Sequence, residues 1–307
     1  MPNLQVSKTF VSPLLTNVFV GYSNPSYIHG RLFPTVQVDK ETGIYFVRDK
    51  ENLRAPADAR RGEFSRANRV MNNLSQATYT LEEKSLETAI SERVMNNYSD
   101  PFDPKKNATL LVADKLALDE EIDLQNTIIA AASGGNTLDT SSSWATTSTD
   151  ILAQVRTGHA YITKNTGKKA NVAVVPRVTR DAILKNLAFI ASIQYVKQIN
   201  DSALRDAMAA WLDVEEVLFA DAIQNTSKEG QADSMDWVWS DNFTLAYVER
   251  NPQLESTSLG YKLQQRSAAY VDEWFEQDKK TTIVRASDFY DNKIVDTACM
   301  YFISNTI

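Results

Sequence analysis

Among 307 residues there is one cysteine, and there are two histidines. A lone cysteine excludes an intramolecular disulfide. Cys299 lies in the strongly apolar stretch Val295–Ser304, where a buried, inert thiol is expected. His29 and His159 lack the companions that a zinc site or a nucleophilic triad requires, so packing and hydrogen bonding are their expected roles. Long apolar runs are missing too. The longest resemble Ile128-Ile129-Ala130-Ala131-Ala132, whereas a membrane-spanning helix needs about 20 apolar residues. Met1 to Val20 carries Lys8 as its only positive charge and several polar breaks, which is not the order of a signal peptide. The sequons at Asn73, Asn97, Asn107, Asn225 and Asn242 then read as chance. No glycine-rich phosphate loop or dinucleotide fingerprint occurs, and Gly134-Gly135 reads as a helix stop. Positive charge is in deficit: the net charge of −7 argues against a protein that coats nucleic acid through its phosphates. These absences leave no catalytic, cofactor or metal site to assign.

What is present is enough apolar sequence for one large domain or two smaller ones. Residues 1–35 read as an extended arm. Pro2, Pro13, Pro25 and Pro34 interrupt any long helix, and Val11, Leu14, Leu15, Val18, Phe19 and Val20 make the arm sticky. Its partner is either its own core or a neighbouring subunit. Residues 36–82 look like a long two-stranded excursion, with Ile44-Tyr45-Phe46-Val47 outward and Tyr79 and Leu81 on the return. Its middle, Asp49 to Asn73, has too few large apolar residues to bury itself.

The best single element is a helix over about 104–132, with Asp103 as N-cap and Pro104 at the first helical position. Leu111, Leu118, Ile122 and Ile129 follow spacings of seven, four and seven, which predicts one buried stripe. Asn136 to Thr149 is rich in Ser and Thr and reads as a loop. A helix is expected over Asp150–Lys164, a buried strand over Asn171–Val175, a helix over Thr179–Leu187, and another buried strand at Val217-Leu218-Phe219-Ala220. Trp237 and Trp239 read as core rather than as a nucleic-acid stacking platform, since no basic residues flank them. Residues 281–304 read as two strands around a turn at Asp291-Asn292. The class is α+β without sustained β-α-β alternation.

Charge is distributed unevenly. Arg54, Arg60, Arg61, Arg66 and Arg69 crowd the excursion, against Asp58 and Glu63. From Glu82 to Asp123 there are eleven acidic residues against five basic ones. Within that segment Asp119, Glu120, Glu121 and Asp123 cluster, but on a helix they point in several directions and do not converge as metal ligands would. A basic loop beside an acidic helix suggests contact between subunits, with these arginines and acids as interface candidates. A merely solvated loop and a DNA contact by the arginines are the alternatives.

The order of these pieces resembles the major capsid proteins of tailed bacteriophages, the Hong Kong 97-like capsid fold. Tyr27–Val38 ("YIHGRLFPTVQV") resembles that family's passage from arm to loop. Ala170–Leu184 ("ANVAVVPRVTRDAIL") resembles its axial strand-Pro-helix. Val214–Asn225 and Trp237–Val248 are similar to its paired axial strands. The resemblance covers nearly the whole chain and rests on element order more than on any motif. It implies an N-terminal arm (1–35), an extended β loop (36–82), a peripheral domain with a spine helix (83–167), an axial domain (168–250), and a return to the peripheral domain (251–307). It implies a non-enzymatic shell subunit that forms pentamers and hexamers and encloses double-stranded DNA without sequence-specific contact. The implied place is the virion capsid, assembled in the host cytoplasm and with no membrane. A separate scaffolding protein, a portal and decoration proteins are the implied partners, the first because the chain begins with only a short arm. Some relatives crosslink a loop lysine to an asparagine. Lys40 and Lys50 lie in the loop, but no asparagine partner is indicated, so no crosslink is expected. Encapsulins, which enclose cargo enzymes, share the fold. Their N-terminus usually forms a helix, whereas here the prolines favour an arm.

Overall fold

The computed structural model describes residues 10–48, 54–55, 59–61, 63–64, 66–69, 74–97, 103–133, 135–193, 200–252, 257–266 and 269–307. Asn73, Lys50, Asp58 and Gly134 lie outside the described residues. In chain order the elements are β1 (Phe10–Val11), α1 (Pro13–Val20), α2 (His29–Leu32), β2 (Thr35–Val38), β3 (Thr42–Arg48), β4 (Leu74–Thr80), β5 (Glu82–Ser91), α3 (Glu92–Asn97) and α4 (Pro104–Ala131). There follow β6 (Thr137–Asp139), α5 (Ile151–Thr166), β7 (Val172–Pro176), α6 (Arg177–Lys185), α7 (Leu187–Ile193), α8 (Asp201–Leu212), β8 (Glu216–Ala220), β9 (Ile223–Asn225), β10 (Met235–Trp237) and β11 (Phe243–Ala246). The chain ends with β12 (Gly260–Gln265), β13 (Tyr270–Glu276), β14 (Thr281–Ile294) and β15 (Met300–Ser304).

One sheet has the order β6-β15-β11-β7-β8 and is covered on both faces. Strands buried on both sides read as continuous apolar runs, and these do. Along β7, Ala173 and Val175 face α5 to α8 with Ile162, Met208 and Phe189, while Val172 and Val174 face α4 with Leu124 and Ile128. Along β15, Tyr301 and Ile303 take the first side and Met300 and Phe302 the second. Helix α5 approaches closely at Gly158, where a Cβ would stand 2.8 Å from the Tyr301 ring. The other sheet runs β1-β13-β14-β12-β2, with β5 also paired to β14. Val271, Val284, Ala286 and Ile90 of this sheet pack against Leu15 of α1 and Ala108, Val112 and Leu116 of α4. Helix α4 is therefore a strut of about 42 Å between two cores. Asp103 caps it by accepting from the amides of Lys105 (3.0 Å) and Lys106 (3.3 Å).

Four expectations are corrected. The predicted stripe on α4 has the wrong phase: Leu111 and Ile129 are 52% and 41% exposed, and Leu118 and Ile122 are only partly buried. The buried positions are Ala108, Thr109, Val112, Ala113, Leu116, Glu120, Glu121, Leu124 and Ile128, and they include a series from Ala108 to Ile128 with one member every four residues. Second, the arm contains a helix. Pro13 occupies the first helical position of α1, where its missing N–H costs nothing, and Leu15 is buried in the subunit's own core. Third, Asp291-Asn292 is not a turn: β12 supplies ladder partners, Leu263 opposite Asp291 and Lys262 opposite Asn292, so the strand runs on to Ile294. Fourth, the Ser/Thr-rich stretch after α4 is ordered. It holds β6 and a 3-10 turn at Ser143–Ala145 whose Trp144 is buried and donates to Gln154 (2.5 Å). Gly135 does adopt φ +100° just past α4, while Ala132 is the C-cap itself. Cys299 is buried, in a 3-10 turn before β15.

Candidate interaction site

Strands β3 and β4 pair only with each other, in register from Thr42 opposite Thr80 to Arg48 opposite Leu74. Seven residues per strand carry the tip about 20 Å from the root. The root is anchored: Tyr79 and Leu81 are buried with Tyr261 and Leu263, and Val36, Val38 and Tyr45 pack beside them. Gly43 makes room there, because a Cβ would meet the buried Tyr79 hydroxyl at 2.5 Å and its ring at 2.6 Å. At the tip, Arg54, Arg60, Arg61, Arg66 and Arg69 are all exposed. Among them stands Phe64, 99% exposed and held at φ +65°, a region that an L-residue with a large side chain rarely adopts.

The acidic residues of α4 divide among three environments, because successive helical side chains point about 100° apart. Glu121 is wholly buried and accepts from the backbone amides of Ile28 (3.0 Å) and His29 (2.9 Å) through one oxygen and from Trp239 Nε1 (2.5 Å) through the other. The His29 ring nitrogen Nδ1 lies 3.1 Å away. Glu120, also buried, pairs with Lys262 (2.8 Å). Asp119 and Asp123 remain half-exposed, 3.6 and 2.6 Å from Lys84 of β5. Glu120 and Glu121 are thus internal fasteners of the subunit, which corrects their assignment to a surface. The exposed acids near the helix are instead Glu82, Glu83 and Glu87 on β5 and Glu92 on α3.

Between α1, α4 and the β12–β14 pair lies a cleft of about 430 Å³. Phe19, Val20, Leu116 and Ala117 give it an apolar wall. Its far end is charged: Lys262 sits 2.8 Å from Glu120, 3.5 Å from Asp288 and 4.1 Å from the Tyr290 ring centre. Burial pushes the Tyr290 phenol far up, and the charges of Glu120, Asp119, Asp123 and Asp288 push it the same way. Those four carboxylates against Lys262 and Lys84 leave the end of the cleft net negative. Next to it, Asp114 accepts from Tyr22 (2.5 Å) and Tyr27 (3.1 Å), tying the N-terminal segment to the helix. No group of three or more His, Cys, Asp or Glu side chains among the described residues is placed to hold a metal ion. His159 bonds the Leu212 carbonyl at 2.9 Å. No described helix is long and apolar enough to cross a membrane.

Sequence reasoning located the arginines and the acids but not what joins them. Lys262, Asp288 and Tyr290 lie 142 to 170 residues beyond Glu120, in strands whose pairing no local pattern revealed.

No family model matches the chain. It is 26% identical over 302 residues to the major capsid protein of Burkholderia phage BcepMu, covering 96% of each chain. Among solved structures it matches a phage-related protein from Bordetella bronchiseptica with a TM-score of 0.75, at 21% identity over 97% of this chain and 98% of that one. It matches the capsid structure of the cyanophage P-SCSP1u with a TM-score of 0.63, at 9% identity over 97% and 92%. The holo-SrpI encapsulin complex from Synechococcus elongatus matches with a TM-score of 0.52, at 12% identity over 90% and 85%. The fold is therefore the one that phage capsids and encapsulins share.

Proposed function

We infer that this chain is the major capsid protein of a tailed bacteriophage, a structural subunit of the virion shell. The observation that carries this is the sequence relation to a phage major capsid protein, collinear over 96% of both chains. An α4 strut between two cores suits a subunit that must keep its shape while its neighbours bear on it. In this reading the subunits form pentamers and hexamers that close an icosahedral shell around double-stranded DNA in the host cytoplasm. Residues 1–35 serve as arm, 36–82 as extended loop, 83–167 and 251–307 as peripheral domain and 168–250 as axial domain. A separate scaffolding protein, a portal and decoration proteins are its partners. The net charge of −7 fits a wall that faces packed DNA without gripping it. The exposed arginines of the β3–β4 tip meet the exposed acids of a neighbour, Glu82, Glu83, Glu87, Glu92, Asp119 and Asp123.

The test is electron microscopy and sedimentation of the purified chain. Shells or capsomer rings are expected; a clean monomer across salt and concentration would overturn the reading. An encapsulin-type shell is the second reading, favoured by one observation: the N-terminal segment forms helix α1, so the expected contrast with encapsulins does not hold. Nuclease-protected DNA inside particles from the native host supports the capsid; a co-purifying enzyme inside them supports the encapsulin.

A further inference from the structure

Arginines from three distant parts of the chain meet where β8 begins. Arg31 on the short helix α2 and Arg250 just past β11 both pair with Glu216, the first residue of β8. Burial lowers the pKa of Arg31, and the charges of Arg205 on α8 and then Arg250 lower it further, so all three guanidiniums lie within electrostatic reach of one another. The cluster is held from behind. Glu121 fixes the start of α2 by accepting from the amides of Ile28 and His29, so Arg31 projects from a rigid base. The Glu216 side chain is only 14% exposed, whereas those of Arg31 and Arg250 are 54% and 62% exposed. A guanidinium carries five N–H donors, and Glu216 pairs with a single nitrogen of each. Glu216 therefore orients the two forks and leaves most of their donors for another acceptor.

Arg205 has no carboxylate of its own among the described residues. Its guanidinium lies 5.0 Å from the Phe219 ring centre, and Arg180 lies 4.7 Å from the same ring, but Arg180 is matched by Asp221 at 3.1 Å. Arg205 Nε is buried with no hydrogen-bond acceptor, a costly state for a charged donor. The adjacent acids do not fill the gap. Glu249 accepts from the Tyr247 hydroxyl at 2.9 Å, and Glu215 is exposed. One paired carboxylate among three guanidiniums leaves a local positive surplus, in a chain whose net charge is −7. A phosphate group suits that surplus. It carries up to about two negative charges and several acceptor oxygens, which guanidinium forks match bidentately. The lysines around the end of α5 need no such ligand, because Lys169 is paired with Asp213 at 2.6 Å and cations suit a helix C-terminus.

We propose that Arg31, Arg205 and Arg250, set around Glu216, form a binding site for a phosphate group, presented either as free inorganic phosphate or by a nucleic-acid backbone. The site stands independently of the shell-subunit reading. It adds one local contact to a chain whose negative charge keeps it from coating nucleic acid.

The test is calorimetry of the full-length subunit with inorganic phosphate, against sodium chloride of equal ionic strength. Saturable binding of phosphate at one site per chain is expected. Arg250→Gln leaves Glu216 paired with Arg31 and should weaken phosphate binding at least about fivefold, and Arg205→Gln should do the same. Arg156→Gln with Lys164→Gln, which removes two exposed cations of α5, should leave it unchanged. A wild-type chain that binds phosphate no better than chloride would overturn the site, and that result requires no variant to fold. Wild-type affinity in Arg250→Gln, or equal weakening by the α5 pair, would overturn it as well. A short DNA duplex distinguishes the two sources. DNA binding weakened by Arg250→Gln but not by the α5 pair, and displaced by phosphate, supports the site with the nucleic-acid backbone as its ligand. DNA binding unaffected by Arg250→Gln while phosphate binding is lost supports the site with free phosphate as its ligand.

Discussion

Glu121 shows how a single side chain can be misassigned from sequence and still be legible in retrospect. Among four acids within five residues it looks like surface, yet it is the buried acceptor for two backbone amides and an indole N–H. Removing it strands those donors away from water, and each buried unsatisfied group costs about 1–3 kcal/mol. Glu121→Ala is therefore expected to destabilise the subunit by about 3 kcal/mol or more, and Glu121→Gln, which retains one acceptor oxygen, by less. Urea denaturation measures this; an unchanged midpoint for the alanine variant would refute it. Tyrosines tie stability to pH. The Tyr22 phenol is pushed up to about 12, chiefly by burial and then by its bond to Asp114, and Tyr247 also to about 12, by burial and then Glu249. Unfolded tyrosine loses its proton near pH 10, so above that the unfolded chain binds fewer protons than the folded one. The stabilisation is complete below pH 10 and is lost as pH rises toward 12. Subunit melting temperature should fall across that window, and less steeply in Tyr22→Phe; parallel slopes would refute the assignment.

At the scale of elements, α4 explains why a correct helix was given the wrong face. The residues Leu111, Leu118, Ile122 and Ile129 share one fixed face, as an ordinary amphipathic helix would require. The buried positions instead include a series that recurs every four residues, and at about 100° per residue each step of four turns the stripe by about 40°. From Ala108 to Ile128 the buried line therefore winds about 200° around the axis. Its first half meets the β14 sheet and its second half the β7 sheet on the other side. Leu124→Ala should cost about 2–5 kcal/mol as a large-to-small change in a packed core. Leu111→Ala should stay within about 0.5 kcal/mol. Equal losses in the two variants, read as denaturation midpoints, would restore the fixed-face description.

At the scale of the whole molecule, assembly multiplies contacts that are weak one at a time. An exposed ion pair contributes about 0–1 kcal/mol, so a single arginine of the tip is dispensable. Arg60, Arg61 and Arg66 changed together to Glu should leave subunit melting near wild type and abolish stable shells, because all three are exposed and the contact would be repeated at every neighbour. Wild-type assembly should weaken with added salt, since the screening length falls to about 3 Å at 1 M. Sedimentation of particles against subunit melting, across a salt series, separates the two effects. Normal shells from the triple variant would remove the arginines from the interface, and intact shells with lost DNA would assign them to nucleic acid.

Local chemistry alone determined much of this protein. Asp103-Pro104 starts α4, and the uniformly apolar runs Val172–Val175 and Val217–Ala220 demand strands covered on both faces. These follow from sequence because capping and continuous apolar runs are properties of neighbouring residues. The tertiary structure decided which side of α4 is buried at each turn, that Asp291-Asn292 runs straight, and that Glu121 closes on Trp239 rather than on water. Each of these depends on a partner distant in the chain, β14 for the first half of α4, Leu263 for Asp291 and Trp239 for Glu121, and a chain's local pattern cannot specify a partner that only folding brings alongside.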